Sequence, residues 1–239
     1  MIKSTIEDDW NAVLQTLESH SNWVYSVVFS HDSKLLMSVS ADQTIKIWNV
    51  STDFCQQTLE GHSRWVNSVV FSHDSKLLTS ASDNWTVKIW DVNISFCQQT
   101  LEGHSDEVNS VAFLHNSKLL MSALNDWTVK IWDTSTDFCQ QMLKGHSGWV
   151  YSVAFSHNSK LLMSASTDQT VKIWDMSINF CQQMLEGHIR WVNSVVFSHD
   201  SKLLMSVSAD ETVKIWDTST DFCQQTLKGH SNEVNFIVF

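Results

Sequence analysis

The sequence predicts an all-β fold assembled from copies of one four-stranded unit, and three observations carry that prediction. The first is a period of 42 residues. Cys55, Cys97, Cys139, Cys181 and Cys223 recur at that spacing, as do His20, His62, His104, His146, His188 and His230, and Trp48, Trp90, Trp132, Trp174 and Trp216. The second is that each period holds four short runs rich in β-branched and aromatic residues, parted by polar turns. The third is that no segment carries a convincing helical spacing of apolar residues. The chain has no proline, so its turns rely on Asp, Asn, Ser and Gly.

The second unit shows the elements in order. Trp65 to Phe71, WVNSVVF, predicts strand a, and the polar SHDSK turn follows. LLTSAS predicts strand b, Asp83 and Asn84 turn the chain, TVKIWD predicts strand c, and FCQQTL after a polar loop predicts strand d. Units start near Trp23, Val66, Val108, Val150 and Val192. Residues 1–11 read as a lead-in and 12–239 as the array. Two pieces are left over: Ala12 to Leu17 matches strand d, and Val234 to Phe239 matches strand a. They predict a partial sixth unit whose strands b and c are missing, so the array is not expected to close simply. Its unpaired edges invite association with a second copy of the chain.

Composition narrows the function classes. The chain has 239 residues, 43% of them hydrophobic, enough to bury a core. With 26 acidic against 15 basic residues and a net charge of -11, it is a poor match for nucleic acid or anionic membranes. Met1 to Trp10 carries acids where a signal peptide needs an apolar run, and no stretch approaches the roughly 18 apolar residues of a membrane span. The reading is therefore a soluble, cytoplasmic protein without direct membrane insertion. Five evenly spaced cysteines with no CxxC pair argue against a disulfide framework or a zinc site, and each reads as a small buried hydrophobe. No metal or cofactor is expected.

A period near 40 residues with GH at one end and WD at the other resembles the WD-repeat β-propeller family over nearly everything after Trp10. The family's usual SPDG turn stands here as SHDS or SHNS. The resemblance implies a propeller of five complete blades plus the partial sixth. It also implies a structural tetrad in each blade, in which the GH histidine, a strand b serine, the b–c turn aspartate and the strand c tryptophan are hydrogen-bonded. Blade 1 offers His20, Ser38, Asp42 and Trp48, and blade 3 offers His104, Ser122, Asp126 and Trp132. Blade 4 offers His146, Ser164, Asp168 and Trp174, and blade 5 offers His188, Ser206, Asp210 and Trp216. Blade 2 has His62, Ser80 and Trp90 but Asn84 at the carboxylate position, where a bond keeps no charge assistance. Recurrence once per blade argues against a catalytic triad, which needs one constellation in one cleft, so no enzyme is expected and a hydrolase is the remote alternative.

The repeats differ from one another chiefly at one end. The third residue after each GH histidine is Trp23, Trp65, Glu107, Trp149, Trp191 or Glu233, and the fifth is Tyr25, Asn67, Asn109, Tyr151, Asn193 or Asn235. The b–c turns also vary, with Asp83 and Trp85 in blade 2 and Trp127 in blade 3. In a meander the d–a and b–c connections share one face, so these residues form a ring around the channel mouth. Exposed Trp and Tyr there predict a protein- or peptide-binding surface, with Asp83, Glu107 and Glu233 able to select a basic group. Ten periodic lysines read as solvated flanks. Within the family, the STDFCQQTLEGHS-like junctions are similar to the repeat arrays of fungal NACHT-type, NOD-like receptors, which implies a sensor for non-self recognition. No GxxxxGK[ST] nucleotide-binding motif is present. The alternative is a WD-repeat adaptor of the mitochondrial-division or ubiquitin-ligase type.

Overall fold

The computed structural model describes residues 16–178 and 180–237, and these residues form twenty strands and no helix. Blade 1 is β1 (Val24–Phe29), β2 (Leu35–Ser40), β3 (Ile45–Asn49) and β4 (Cys55–Leu59). Blade 2 is β5 (Val66–Phe71), β6 (Leu77–Ser82), β7 (Val87–Asp91) and β8 (Phe96–Leu101). Blade 3 is β9 (Val108–Phe113), β10 (Leu119–Leu124), β11 (Val129–Asp133) and β12 (Cys139–Leu143). Blade 4 is β13 (Val150–Phe155), β14 (Leu161–Ser166), β15 (Val171–Asp175) and β16 (Phe180–Leu185). Blade 5 is β17 (Val192–Phe197), β18 (Leu203–Ser208), β19 (Thr212–Asp217) and β20 (Cys223–Lys228). In every blade the strands pair antiparallel in chain order, as the run of strand and turn signals predicts.

A blade alone cannot bury both faces, so the core lies between blades. Met37, Val39, Ile45, Ile47 and Leu59 of blade 1 pack on Val66, Val69, Phe71, Leu78 and Trp90 of blade 2. The same kind of cluster recurs at the next three junctions. Strand a faces the preceding blade, and its valines are almost fully buried there: Val66 is 0% and Val69 5% exposed.

Blade 1 breaks this rule. Val24, Val27 and Phe29 of β1 are 48%, 54% and 57% exposed, because among the described residues no blade packs on that side. At the other end of the array Leu227 is 40% exposed, whereas its counterparts Leu59 and Leu101 are 2% and 0% exposed. The propeller therefore has an apolar seam between blades 5 and 1. Most of the expected strand d segment, 12–15, lies outside the described residues, and Thr16 and Leu17 carry no strand. Residues 234–237 of the expected strand a form no strand either, and 238–239 lie outside the described residues. Val234 nonetheless enters the seam at the inner edge of blade 5: its N–H donates to the Ser208 carbonyl at 3.2 Å, and its carbonyl accepts from Asn193 Nδ2 at 3.0 Å. Phe236 then reaches the β1 residues Val24 to Val27, closing a recess of about 200 Å³. With no strand b beside it, this segment has half of its ladder partners missing, which is the physical reason it stays irregular.

Candidate functional site

The geometry divides the conserved from the changing residues of each blade. In blade 1 His20 Nδ1 lies 2.7 Å from Asp42 Oδ2, His20 Nε2 lies 2.7 Å from Ser38 Oγ, and Trp48 Nε1–H donates to the same Oγ at 2.8 Å. The carboxylate accepts from Nδ1–H, Nε2 pairs with the serine hydroxyl, and the serine oxygen accepts the indole N–H. Blades 4 and 5 repeat this, with His146–Asp168 at 2.7 Å and His188–Asp210 at 2.8 Å. In these two blades Ser164 and Ser206 each join the imidazole to the tryptophan. Burial raises the Asp42 carboxyl, but hydrogen bonds from Thr44, His20 and the Ser21 amide outweigh it and hold the group at about 2. Asp210 sits at about 2 for the same reasons, with Thr212, His188 and the Ile189 amide as donors.

Blade 2 shows what the amide costs. His62 Nδ1 stands 3.3 Å from Asn84 Oδ1, well beyond the 2.7–2.8 Å of the carboxylate blades. Burial pushes the His62 imidazole down to about 4, and the Asn84 bond only partly opposes that.

Blade 3 differs from expectation. Its four residues match the pattern, yet His104 Nδ1 is buried without a hydrogen-bond partner. Two local contacts accompany this. The Ser105 hydroxyl donates to Asp126 Oδ2, the oxygen that takes the histidine proton elsewhere. Lys130 donates to the Gly103 carbonyl, whereas Lys46, Lys88 and Lys214 reach Thr58, Thr100 and Thr226 on strand d and Lys172 reaches the Met184 thioether at the place that Met142 holds in blade 3. The imidazole tilts over Trp132, with centroids 4.7 Å apart against 6.1–6.4 Å in the other blades. Burial, then the Lys130 charge, pushes His104 down to about 3.

The changing residues occupy the opposite role at the channel mouth. The carbonyls of Trp23, Trp65, Glu107, Trp149 and Trp191 each accept an N–H from the neighbouring b–c turn at 2.9–3.0 Å, so the backbone beneath the ring is pinned. The second variable position is the extra residue of a β-bulge. In β5 Val66 pairs with Ser82 and Ser68 with Ala81, leaving Asn67 out of register, and Tyr25, Asn109, Tyr151 and Asn193 hold the same place. A bulge re-aims a side chain, here toward the channel.

Eight of the predicted ring residues line one cavity of about 570 Å³: Tyr25, Trp65, Asn67, Asp83, Glu107, Asn109, Trp149 and Tyr151. Asn125, one of the varying b–c turn residues, and Asp106, which repeat comparison did not single out, complete the wall. Tyr25 packs against Trp65 at 5.8 Å, and Trp149 against Tyr151 at 6.3 Å. The acidic side is crowded: burial, then the Asp83 and Asp106 charges, raise the Glu107 carboxyl above the usual range. Trp23, Trp85, Trp127, Trp191, Asn193 and Glu233 do not line this cavity. All four of these tryptophans are at least 48% exposed, and Trp127 lines a separate recess with Met142, Lys144 and His146. Asn67 and Asn109 are tied down in a way the sequence did not reveal, since their amides donate to the Val108 and Val150 carbonyls of the next blade at 3.1 and 2.9 Å.

Twenty strands in five radial sheets, with a hydrogen-bonded His–Ser–Trp core in each, define a WD-repeat propeller. The family described as "WD domain, G-beta repeat" matches residues 11–49, 53–91, 95–133, 137–175 and 179–217, and the chain belongs to it. Over 49 residues, 20% of this chain, it is 50% identical to vegetative incompatibility protein HET-E-1 of Podospora anserina. Over 45 residues, 19% of the chain, it is 44% identical to human WD repeat and SOCS box-containing protein 1. A 48-residue stretch is 38% identical to nuclear distribution protein PAC1 of Coccidioides posadasii. The matched stretches span 4%, 10% and 10% of those relatives. WD repeats are protein-interaction and scaffold units, and among the described residues no helix is long and apolar enough to cross a membrane.

Proposed function

We propose that this chain is a non-catalytic recognition module, working in the cytoplasm, that binds a protein or peptide through its channel-mouth ring. The observation that carries the reading is the cavity framed by Trp65, Trp149, Tyr25 and Tyr151 on a pinned backbone, with Asp83, Asp106 and Glu107 along one wall. Aromatic faces beside carboxylates suit a Lys or Arg side chain, which gains both cation–π and ionic contacts. Trp85 and Trp127 add support: both sit at positive φ, 66° and 70°, where Gly or Asn would be easier, so the backbone does not explain the choice of indole. The match to HET-E-1, an incompatibility protein, favours a sensor for non-self recognition.

The test is binding to an array of short peptides that each present one Lys or Arg among apolar residues. Peptides captured by the native chain are then offered to the Trp65→Ala/Trp149→Ala double variant. Loss of capture by at least tenfold with an unchanged melting temperature supports the reading. Unchanged capture moves the interaction to the sides and the opposite face, the adaptor reading favoured by the similarity to WD repeat and SOCS box-containing protein 1.

The seam supports a homo-oligomer. The face of blade 1 left open, Val24, Val27 and Phe29, repeats the faces of blades 2 to 5 that are buried, and the far face of blade 5 repeats those that bury them. Each open face therefore already has its complement on a second copy of the chain.

A further inference from the structure

The a–b turns lie on the face opposite the aromatic ring, and each places a histidine where the family pattern has proline: His31, His73, His115, His157 and His199. Sequence comparison passed over them because they do not vary, yet their 42-residue period was legible. In the structure they form an arc, with successive ring centroids 4.7, 3.9, 5.3 and 4.2 Å apart. The spacing is built into the backbone. The N–H of His31 donates to Ser75 of the next turn at 3.0 Å, that of His73 to Ser117 at 3.3 Å, and that of His157 to Ser201 at 2.9 Å. All five side chains are exposed, and among the described residues none of their ring nitrogens makes a hydrogen bond.

From this arc we propose a binding site for divalent transition-metal ions of imidazole preference, such as Ni²⁺, Cu²⁺ or Zn²⁺, held between neighbouring histidines with water completing the coordination. Two imidazoles on one ion, with metal–nitrogen bonds of about 2.0–2.1 Å, bring their centroids to roughly 4.5–5 Å. The observed separations bracket that range, so neighbouring rings are close enough to share one ion. Among the described residues no three His, Cys, Asp or Glu groups are gathered around one point, which is why the site is a two-imidazole one rather than a closed cage. The arc has room for two ions. The same turns carry Asp32, Asp74 and Asp200 beside Lys34, Lys76, Lys118, Lys160 and Lys202, so the preference for a metal ion rests on the imidazole donors and not on local charge. Four of the six GH histidines, His62, His104, His146 and His188, are buried and do not compete.

The experiment is calorimetric titration of the full chain with NiCl₂, alongside a variant with all five turn histidines changed to Asn, a residue that such turns accept. A second variant changes the five cysteines to Ser, because thiolates are the competing ligands. Binding by the native chain and the cysteine variant, weakened at least tenfold in the folded histidine variant, is the expected result. The proposal is overturned if the native chain binds no Ni²⁺, if the histidine variant retains full affinity, or if the cysteine variant loses it. Should the fivefold variant fail to fold, His73→Asn/His115→Asn is used, with loss of one bound ion expected and unchanged stoichiometry overturning the proposal.

Discussion

The substitution Asn84→Asp isolates the worth of one carboxylate in an otherwise repeated environment. Around His62 the other partners are already in place: Ser80 at 2.7 Å, Trp90 on the same oxygen at 2.9 Å, and Thr86 on Asn84 Oδ1 at 2.7 Å. Only the Nδ1 contact is long, at 3.3 Å. A carboxylate accepts on both oxygens, so it restores a second bond as well. In blades 1, 4 and 5 the amides of Ser21, Ser147 and Ile189 donate to Oδ2 of the aspartate at 3.0–3.1 Å, whereas the corresponding atom of Asn84 is an NH₂ group with no acceptor capacity. A charge-assisted bond contributes about 1.5–3 kcal/mol and a neutral one about 1. Against this stand the desolvation of the new charge and repulsion from the adjacent Asp83. The net expectation is a stabilisation on the order of 1 kcal/mol, a rise of about 2–4 °C in melting temperature for a chain of this size. The assay is a melt followed by circular dichroism at pH 7 and again in acid. A group like Asp42, held at about 2 when folded and near its ordinary 3.8 when unfolded, contributes stability above 3.8 and loses it as pH falls through 2. The gain should therefore be full at pH 7 and gone near pH 2. An unchanged or lower melting temperature at pH 7, with native circular dichroism, would refute the tetrad reasoning.

Three further outcomes follow. His62 and His104 fold with imidazoles at about 4 and about 3, below their ordinary 6.5, so protons favour the unfolded chain and stability falls as pH drops from 6.5 toward those values. For His62 the loss is roughly 3 kcal/mol, and a melting temperature that stays flat between pH 7 and pH 4 would contradict it. Ser105→Ala removes the hydroxyl that occupies Asp126 Oδ2 and leaves that oxygen free for His104 Nδ1, although in blades 1 and 4 a serine at the same place coexists with the histidine–aspartate bond. The expected change is a gain of up to about 1 kcal/mol, and a loss of that size would show the hydroxyl to be structural instead. Phe29→Lys places a charge on the open face of blade 1, 57% exposed at that position, and should abolish concentration-dependent association in light scattering without lowering the melt. A native chain that stays monomeric at high concentration removes the case for seam-mediated association.

The fold was legible because each blade repeats every signal four or five times over. Alternation, turn chemistry and the 42-residue period all gave the same strands, and the observed β5 to β8 fall within a residue or two of the predicted runs. What the sequence concealed lies in interactions between repeats. The amides of Asn67 and Asn109 read as variable surface groups, and only three dimensions show them clasping the next blade. The third tetrad looked intact residue by residue, yet His104 Nδ1 is left without a partner while the Ser105 hydroxyl takes Asp126 Oδ2, although blade 4 keeps its histidine–aspartate bond with Ser147 and Met184 at the same places. A position's identity fixes what bonds it is able to make, whereas its neighbours decide which one it makes.

The same distinction separates the two faces of the propeller. At the channel mouth the repeats diverge while the backbone beneath them is pinned by identical turn bonds, so divergence changes the chemistry presented without changing its geometry. On the opposite face the repeats hold histidine constant, and the serine bonds between turns bring like rings side by side. Variation suits discrimination among partners, since blades 1 to 4 contribute different sets of groups to one cavity. Constancy suits a ligand that is coordinated by several copies of one donor. A cavity lined by both Trp65 and Glu107 and an arc of five imidazoles are thus two outcomes of one architecture, set by whether neighbouring blades differ or agree at a given position.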